Sequence, residues 1–188
     1  AALLSGVMAL DMGSAAWSAE PAAAPLVLTE KLHHLRIAGP QEWSHFSEQP
    51  EASHLELKFA AKKNDAEGTL FLRQQDVKQG WRVLLNGEKL GGLTQDENDM
   101  VIGLPIPAGK LKDGENMLRI EQEGKLADDI RAGQIVLHSR PVQEVLAQAS
   151  VQVDLRDADS GKRLPGRLTI VNEAGGLQTV GAASTKTT

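Results

Sequence analysis

The sequence contains no cysteine and no tyrosine, and only 3 Trp and 3 Phe in 188 residues. The missing thiols exclude disulfides, zinc–thiolate centres and a cysteine nucleophile together. The scarcity of aromatic rings narrows the choice of any stacking surface, because few platforms exist to cover the apolar face of a sugar or a base. No apolar run approaches the ~20 residues that a membrane-spanning helix requires. A basic excess is also missing: 20 Lys and Arg stand against 25 Asp and Glu, well mixed, for a formal charge of -5. A phosphate backbone finds no cationic stripe here, so nucleic-acid binding is not expected.

What is present begins with residues 1–10 (AALLSGVMAL), an apolar run followed by the small residues Ser14, Ala15, Ala16, Ser18 and Ala19. Ala16 and Ser18 fit the small-x-small pattern of a leader cleavage site. Residues 1–25 therefore read as a signal-peptide remnant and a flexible N-terminus. The expected compartment is periplasmic or extracellular, with no membrane span once the leader is removed.

Beyond residue 25 the pattern changes to short alternating runs punctuated by Gly, Asn, Asp and Pro, as expected of antiparallel β structure. Leu55, Leu57 and Phe59 alternate with Glu56 and Lys58, which places one face in a core and the other in water. Residues 69–73 read as a strand covered on both sides. Trp81, Val83 and Leu85 lead into Asn86-Gly87, the dipeptide that best supplies the positive φ angles of a tight hairpin. Met100, Ile102 and Leu104 share a face and run into Pro105 and Pro107, whose missing N–H groups suit a sheet edge or a strand end. With Leu118, Ile120, Ile135 and Leu137, the runs amount to about seven or eight strands, the number of a sandwich or jelly roll.

The domain reading is a β-sandwich over residues 26–141, a connector over 142–149, and the start of a second, incomplete sandwich over 150–188. In the second unit Val151, Val153 and Leu155 alternate with polar residues, residues 157–161 (DADSG) turn the chain, and Leu168 and Ile170 return. A two-stranded hairpin is marginal alone.

Trp81-x-Val83-x-Leu85-Asn86-Gly87, followed by Leu104-Pro105-Ile106-Pro107-Ala108-Gly109 and by Gly114-x-Asn116-x-Leu118, resembles the galactose-binding-like jelly rolls attached to many glycoside hydrolases. The second unit, with Arg163-Leu164-Pro165-Gly166-Arg167-Leu168-Thr169, resembles the opening of a carboxypeptidase-regulatory-like sandwich. The order of the two units is similar to the N-terminal region of carbaryl-hydrolase-like metallohydrolases of the PHP superfamily, whose metal-dependent barrel lies further downstream. The resemblance implies an all-β accessory module that positions or targets a catalytic domain in the same chain. None of that family's catalytic motifs occurs here, so no catalytic residue is assigned. Two other readings stand beside it: a carbohydrate-binding module in its own right, and a structural cell-surface interaction domain.

Few residues are candidates for chemistry. Trp43, with His45 and Phe46, lies in a loop-like segment and is the candidate ligand platform. Asp96, Asn98 and Asp99 offer hard oxygen donors for a structural calcium ion, while an acidic loop serves solubility equally well. No other cofactor is expected. His33-His34 cannot readily grip one metal, since adjacent strand residues point to opposite faces; one ring exposed and one packed is the simpler arrangement. Asp128-Asp129 diverge for the same reason and read as a turn or solvated loop. Ser44, Ser47 and Ser139 lack the Gly-x-Ser-x-Gly context of a nucleophile elbow.

Overall fold

The computed structural model describes residues 24–146 and 153–178. The leader reading and Val151 lie outside the described residues, as does the tail beyond residue 178. Among the described residues eight strands follow one another: β1 (Leu26–Leu35), β2 (His54–Ala61), β3 (Gly68–Gln75), β4 (Trp81–Leu85), β5 (Glu88–Gly92), β6 (Met100–Ile106), β7 (Gly114–Gln122) and β8 (Ile130–His138), with a short helix α1 (Val142–Leu146) after them. They form two four-stranded sheets, β1-β8-β3-β6 and β2-β7-β4-β5. Every pairing is antiparallel. The chain changes sheet at each connection except β4–β5, which is the topology of a jelly roll. The all-β sandwich expected from the alternating runs is the observed architecture.

The sequence explains why each strand faces as it does. On β4, Trp81, Val83 and Leu85 are buried while Arg82 and Leu84 are half-buried. Their partners on β7 follow the same parity, with Val83 opposite Ile120 and Leu85 opposite Leu118. Leu70 and Leu72 of β3, Ile102 and Ile106 of β6, and Ile135 and Leu137 of β8 meet them from the other sheet in one core. Cross-strand pairs and the interdigitation of two apolar faces fix the register, because a one-residue slip would turn every core side chain outward. β3, central in its sheet, is covered on its outer side too: Phe71 packs edge-on against His138, with ring centroids 5.5 Å apart.

Local signals hold as well. Asn86 and Gly87 adopt φ of 53° and 86° and close the β4–β5 hairpin, the geometry for which this dipeptide is suited. Pro105 lies on β6, an edge strand, where a missing N–H leaves no ladder bond unmade. Gly133 sits opposite an irregularity in β1 between Thr29 and Leu32. A Cβ there would lie 1.9 Å from the Lys31 carbonyl oxygen, so the close approach demands glycine.

In the second unit the chain turns at residues 157–161 as expected, the Asp157 N–H donating to the Lys162 carbonyl at 2.8 Å and the Leu164 N–H to the Leu155 carbonyl at 2.9 Å. Among residues 153–178 there is no strand, only bridges joining Arg156 to Arg163 and Val171 to Leu177. Val153, Leu155, Leu164, Leu168 and Ile170 remain exposed. Alternation makes a segment capable of pairing, but a sheet also needs partner strands to cover its apolar face. Leu177 meets the sandwich instead: its N–H donates to the Asp99 carbonyl at 2.7 Å and its carbonyl accepts from the Val101 N–H at 2.8 Å, along the outer edge of β6.

Candidate ligand-binding site at the loop end

Strand alternation gathers four connections at one end of the sandwich: residues 36–53 between β1 and β2, 76–80 between β3 and β4, 93–99 between β5 and β6, and 123–129 between β7 and β8. Hydrogen bonds join them in sequence. The Glu42 N–H donates to Asp129 Oδ2 at 2.7 Å, the Gln79 N–H to Asp128 Oδ2 at 2.9 Å, and the Val77 N–H to the Asp96 carbonyl at 3.0 Å. Binding surfaces commonly arise where loops converge on a rigid frame.

Asp128 and Asp129 organise this end, and neither side chain is accessible to solvent. Their divergence is as expected; the solvated loop is not. Ile130 starts β8 in the core and draws the two carboxylates inside with it, where each needs donors to balance its desolvation. Asp129 has them: Arg36 Nη1 donates to both oxygens at 2.9 Å, His34 Nε2 donates at 2.6 Å, and the Glu42 N–H completes the set. Burial pushes its pKa up, but the Glu42 N–H, His34 and Arg36 together hold it below the ordinary aspartate value. Glu42 reciprocates, its Oε2 accepting from the Asp129 N–H at 2.8 Å. Asp128 faces the other way and accepts from the main-chain N–H groups of Lys78 and Gln79 and from the indole of Trp81, the last at 2.8 Å.

His34 and Arg36 had a signal in the sequence. They lie two apart on an extended segment and so share a face, which suits convergence on one acid. His33 points away and meets Glu51 at 3.2 Å, giving the divided histidine pair anticipated from strand geometry. Ser47 Oγ stands 3.0 Å from His34 Nδ1. The order serine, histidine, aspartate resembles a nucleophilic relay, yet the Ser47 hydroxyl donates to the Gln49 carbonyl at 2.6 Å and Asp129 is shared with Arg36. These contacts clamp a loop and do not arm a hydroxyl.

The candidate platform residues separate. Trp43 is 46% exposed, and its carbonyl accepts from the Phe46 N–H at 3.1 Å and from Gln41 Nε2 at 3.0 Å. Lys78 Nζ lies over its ring, 5.8 Å from the centroid, within reach of a cation–π attraction. The same ammonium pairs with Glu42 at 3.1 Å and with Asp128 at 3.5 Å. Burial lowers its pKa, but Glu42 and Asp128 outweigh that and raise it, so the charge is retained. His45 is exposed and stands 3.4 Å from Asp76 across the end of the sandwich. Phe46, by contrast, is buried against His34 and His45, with Arg131 lying 4.4 Å over its ring. It supports the loop from beneath and offers no face to a ligand. Lys78 carried no signal in the sequence, because only loop closure brings it to Trp43.

Of the calcium candidates, Asp96 and Asn98 bond to each other, while Asp99 is held by β3. Asp96 Oδ1 accepts from the backbone and the side chain of Asn98, at 2.8 and 2.7 Å. Asp99 is gripped by Arg73 through both Nε and Nη2 and accepts from Gln75 Nε2 at 2.7 Å. The Arg73 guanidinium holds the Asp99 carboxyl below its usual pKa. Among the described residues no group of three or more His, Cys, Asp or Glu gathers as a metal site.

No family model matches the sequence, and no curated protein matches it. Among solved structures, the chain is similar to the native structure of a family 35 carbohydrate binding module from Clostridium thermocellum, with a TM-score of 0.36 and 10% sequence identity over 61% of this chain and 98% of that one.

Proposed function

We propose that this chain is a carbohydrate-binding β-sandwich module whose ligand face is the loop end around Trp43. One observation carries the reading: Trp81 and Phe46 are buried and Phe59 and Phe71 half-buried, so Trp43 is the exposed aromatic among the described residues. Its ring stands beside the Lys78 ammonium, and a further pair of polar side chains, His45 and Asp76, meets at 3.4 Å at the same loop end. An indole face covers the apolar C–H side of a pyranose while polar neighbours meet its hydroxyls, the combination that sugar sites require. Titration against a glycan panel tests this. Trp43→Ala is expected to abolish binding while leaving the fold intact by circular dichroism, and undiminished binding by that variant contradicts the proposal.

The finer reading, an accessory module of a larger exported hydrolase that positions a downstream metal-dependent catalytic domain, is supported by the exposed apolar side chains of residues 153–171, which are of the kind a neighbouring unit covers. It predicts chelator-sensitive hydrolysis by the full native polypeptide; a native polypeptide without such activity counts against it. Export is supported by the leader-like composition of residues 1–20. No helix among the described residues is long and apolar enough to cross a membrane.

A further inference from the structure

Two consecutive buried carboxylates are a costly feature unless both are used, since each requires a full set of donors in a low-dielectric setting. Asp128 and Asp129 divide their donors by loop. All of Asp129's side-chain partners come from the end of β1 and the loop that follows: His34, Arg36 and the Glu42 N–H. The last of these is one residue before Trp43, and the Asp129 N–H returns a bond to the Glu42 carboxylate. Arg36 extends the clamp by donating from Nη2 to the Glu48 carbonyl at 2.5 Å, on the far side of the same loop. Trp43 is thus tied from the residue before it, and its own carbonyl is held by Gln41 and Phe46.

Asp128 serves the facing loop. It accepts from the Lys78 and Gln79 N–H groups, fixing the backbone that carries the ammonium lying on Trp43, and it anchors that loop to the core through the Trp81 indole. Glu42 links the halves, bonded to Asp129 through its backbone and paired with Lys78 through its side chain.

We propose that Asp129 and Asp128 are positioning residues of the Trp43 site, one carboxylate setting the ring and the other setting the cation over it, so that the platform is ordered before a ligand arrives. The proposal rests on the loop-end reading above. Preorganisation matters because immobilising a side chain during binding subtracts from affinity. The division of labour makes the two substitutions unequal: loss of Asp129 frees the ring, whereas loss of Asp128 frees Lys78 and leaves the ring in place.

The test uses the full chain labelled with 5-fluorotryptophan, so that Trp43 and Trp81 report by fluorine NMR without ligand, together with titrations of cellohexaose, xylohexaose and mannohexaose. In Asp129→Asn the Trp43 resonance is expected to narrow and move toward that of the free amino acid while Trp81 stays. The affinity of whichever oligosaccharide binds the native chain should fall at least about tenfold. In Asp128→Asn the Trp81 resonance should move, the Trp43 resonance should keep its native linewidth and shift less than in Asp129→Asn as the Lys78 ammonium leaves its ring, and affinity should fall by only about threefold. Arg36→Lys keeps a cation opposite Asp129 while losing the two-pronged geometry; as the milder variant it should shift Trp43 in the same direction by less. A Trp43 resonance identical to the native one in both Asp129→Asn and Arg36→Lys overturns the proposal, as does an equal shift of Trp43 in Asp128→Asn. If the native chain binds none of the three oligosaccharides, the carbohydrate reading loses its support while the ligand-free Trp43 signal still decides the positioning roles.

Discussion

The two ends of the sandwich solve one problem with different chemistry. At the Trp43 end, loops are held by buried charge: Asp129 with Arg36 and His34, and Asp128 with the N–H groups of Lys78, Gln79 and Trp81. At the opposite end the buried bonds are made by neutral amides, with charge confined to exposed groups such as Asp113, which accepts from the Lys63 N–H at 3.0 Å, and the Glu88–Lys110 pair. Asn116 Oδ1 accepts from the Lys112 N–H and from Asn86 Nδ2, while its own Nδ2 donates to the Lys112 and Gly114 carbonyls. Asn64 accepts from the Leu111 N–H and donates to the carbonyls of Ala66 and Pro107. A shallow apolar hollow of about 540 Å³, lined in part by Leu26, Ala61 and Leu137, opens beside Asn64. Amides satisfy a turn without titrating; carboxylates hold more strongly but depend on their ionisation and on every partner remaining in place.

The largest effect that sharpens the contrast is loss of a network centre. Asp129→Ala strands a buried guanidinium and is expected to cost about 3–5 kcal/mol. Asn116→Ala, which removes neutral hydrogen bonds, should cost about 1–3 kcal/mol. Urea unfolding of the two variants measures the difference, and equal losses erase the distinction.

Acid provides the second contrast. Asp129 and Asp99 both have pKa values held below the aspartate norm, Asp129 against its burial by the Glu42 N–H, His34 and Arg36, and Asp99 by Arg73. A depressed folded-state pKa contributes stability that is fully present above the unfolded carboxylate range and is lost as pH falls through the folded value. The Trp43 end should therefore loosen on acidification below the ordinary aspartate range, before the amide-held end does. Amide hydrogen exchange at Glu42, whose N–H Asp129 accepts, compared with Leu111 and Lys112 across an acid series, reads this out; simultaneous loosening of both ends contradicts it.

Much of this was legible in the residue order, and the parts that were not share a cause. Alternation in β2, β4 and β6, the Asn86-Gly87 step and Pro105 each report on a strand or turn through local geometry, so they could be read locally. Asp129 finds His34 and Arg36 more than 90 residues away in sequence, and no local pattern around Asp128-Asp129 says whether the pair is wet or buried. Trp43 and Phe46 look alike as aromatic residues in one loop, yet only the closed fold sends one outward and the other beneath. In the second unit, alternation at Val153 and Leu155 signalled capacity to pair without revealing that the pairing stops at the short bridge around Arg156 and Arg163, while Leu177 alone meets the edge of β6.

The smallest expected effect tests the locally legible part. Gly87 holds φ of 86°, and a Cβ added there would meet no neighbouring atom within 4 Å, so Gly87→Ala encounters only backbone strain, about 1 kcal/mol. Thermal unfolding should show a modest decrease, with no change in ligand binding at the other end of the molecule.

The most direct measurement is a residue-resolved map of ligand contact: chemical-shift perturbation of the amide spectrum on adding the glycan that binds most tightly. Perturbations concentrated on residues 41–46 and 76–79, with Asn64, Lys110 and Leu111 unmoved, are what a Trp43-centred binding face predicts. Perturbations centred on the amide-held end, or on a flat sheet face with residues 41–46 silent, would contradict it.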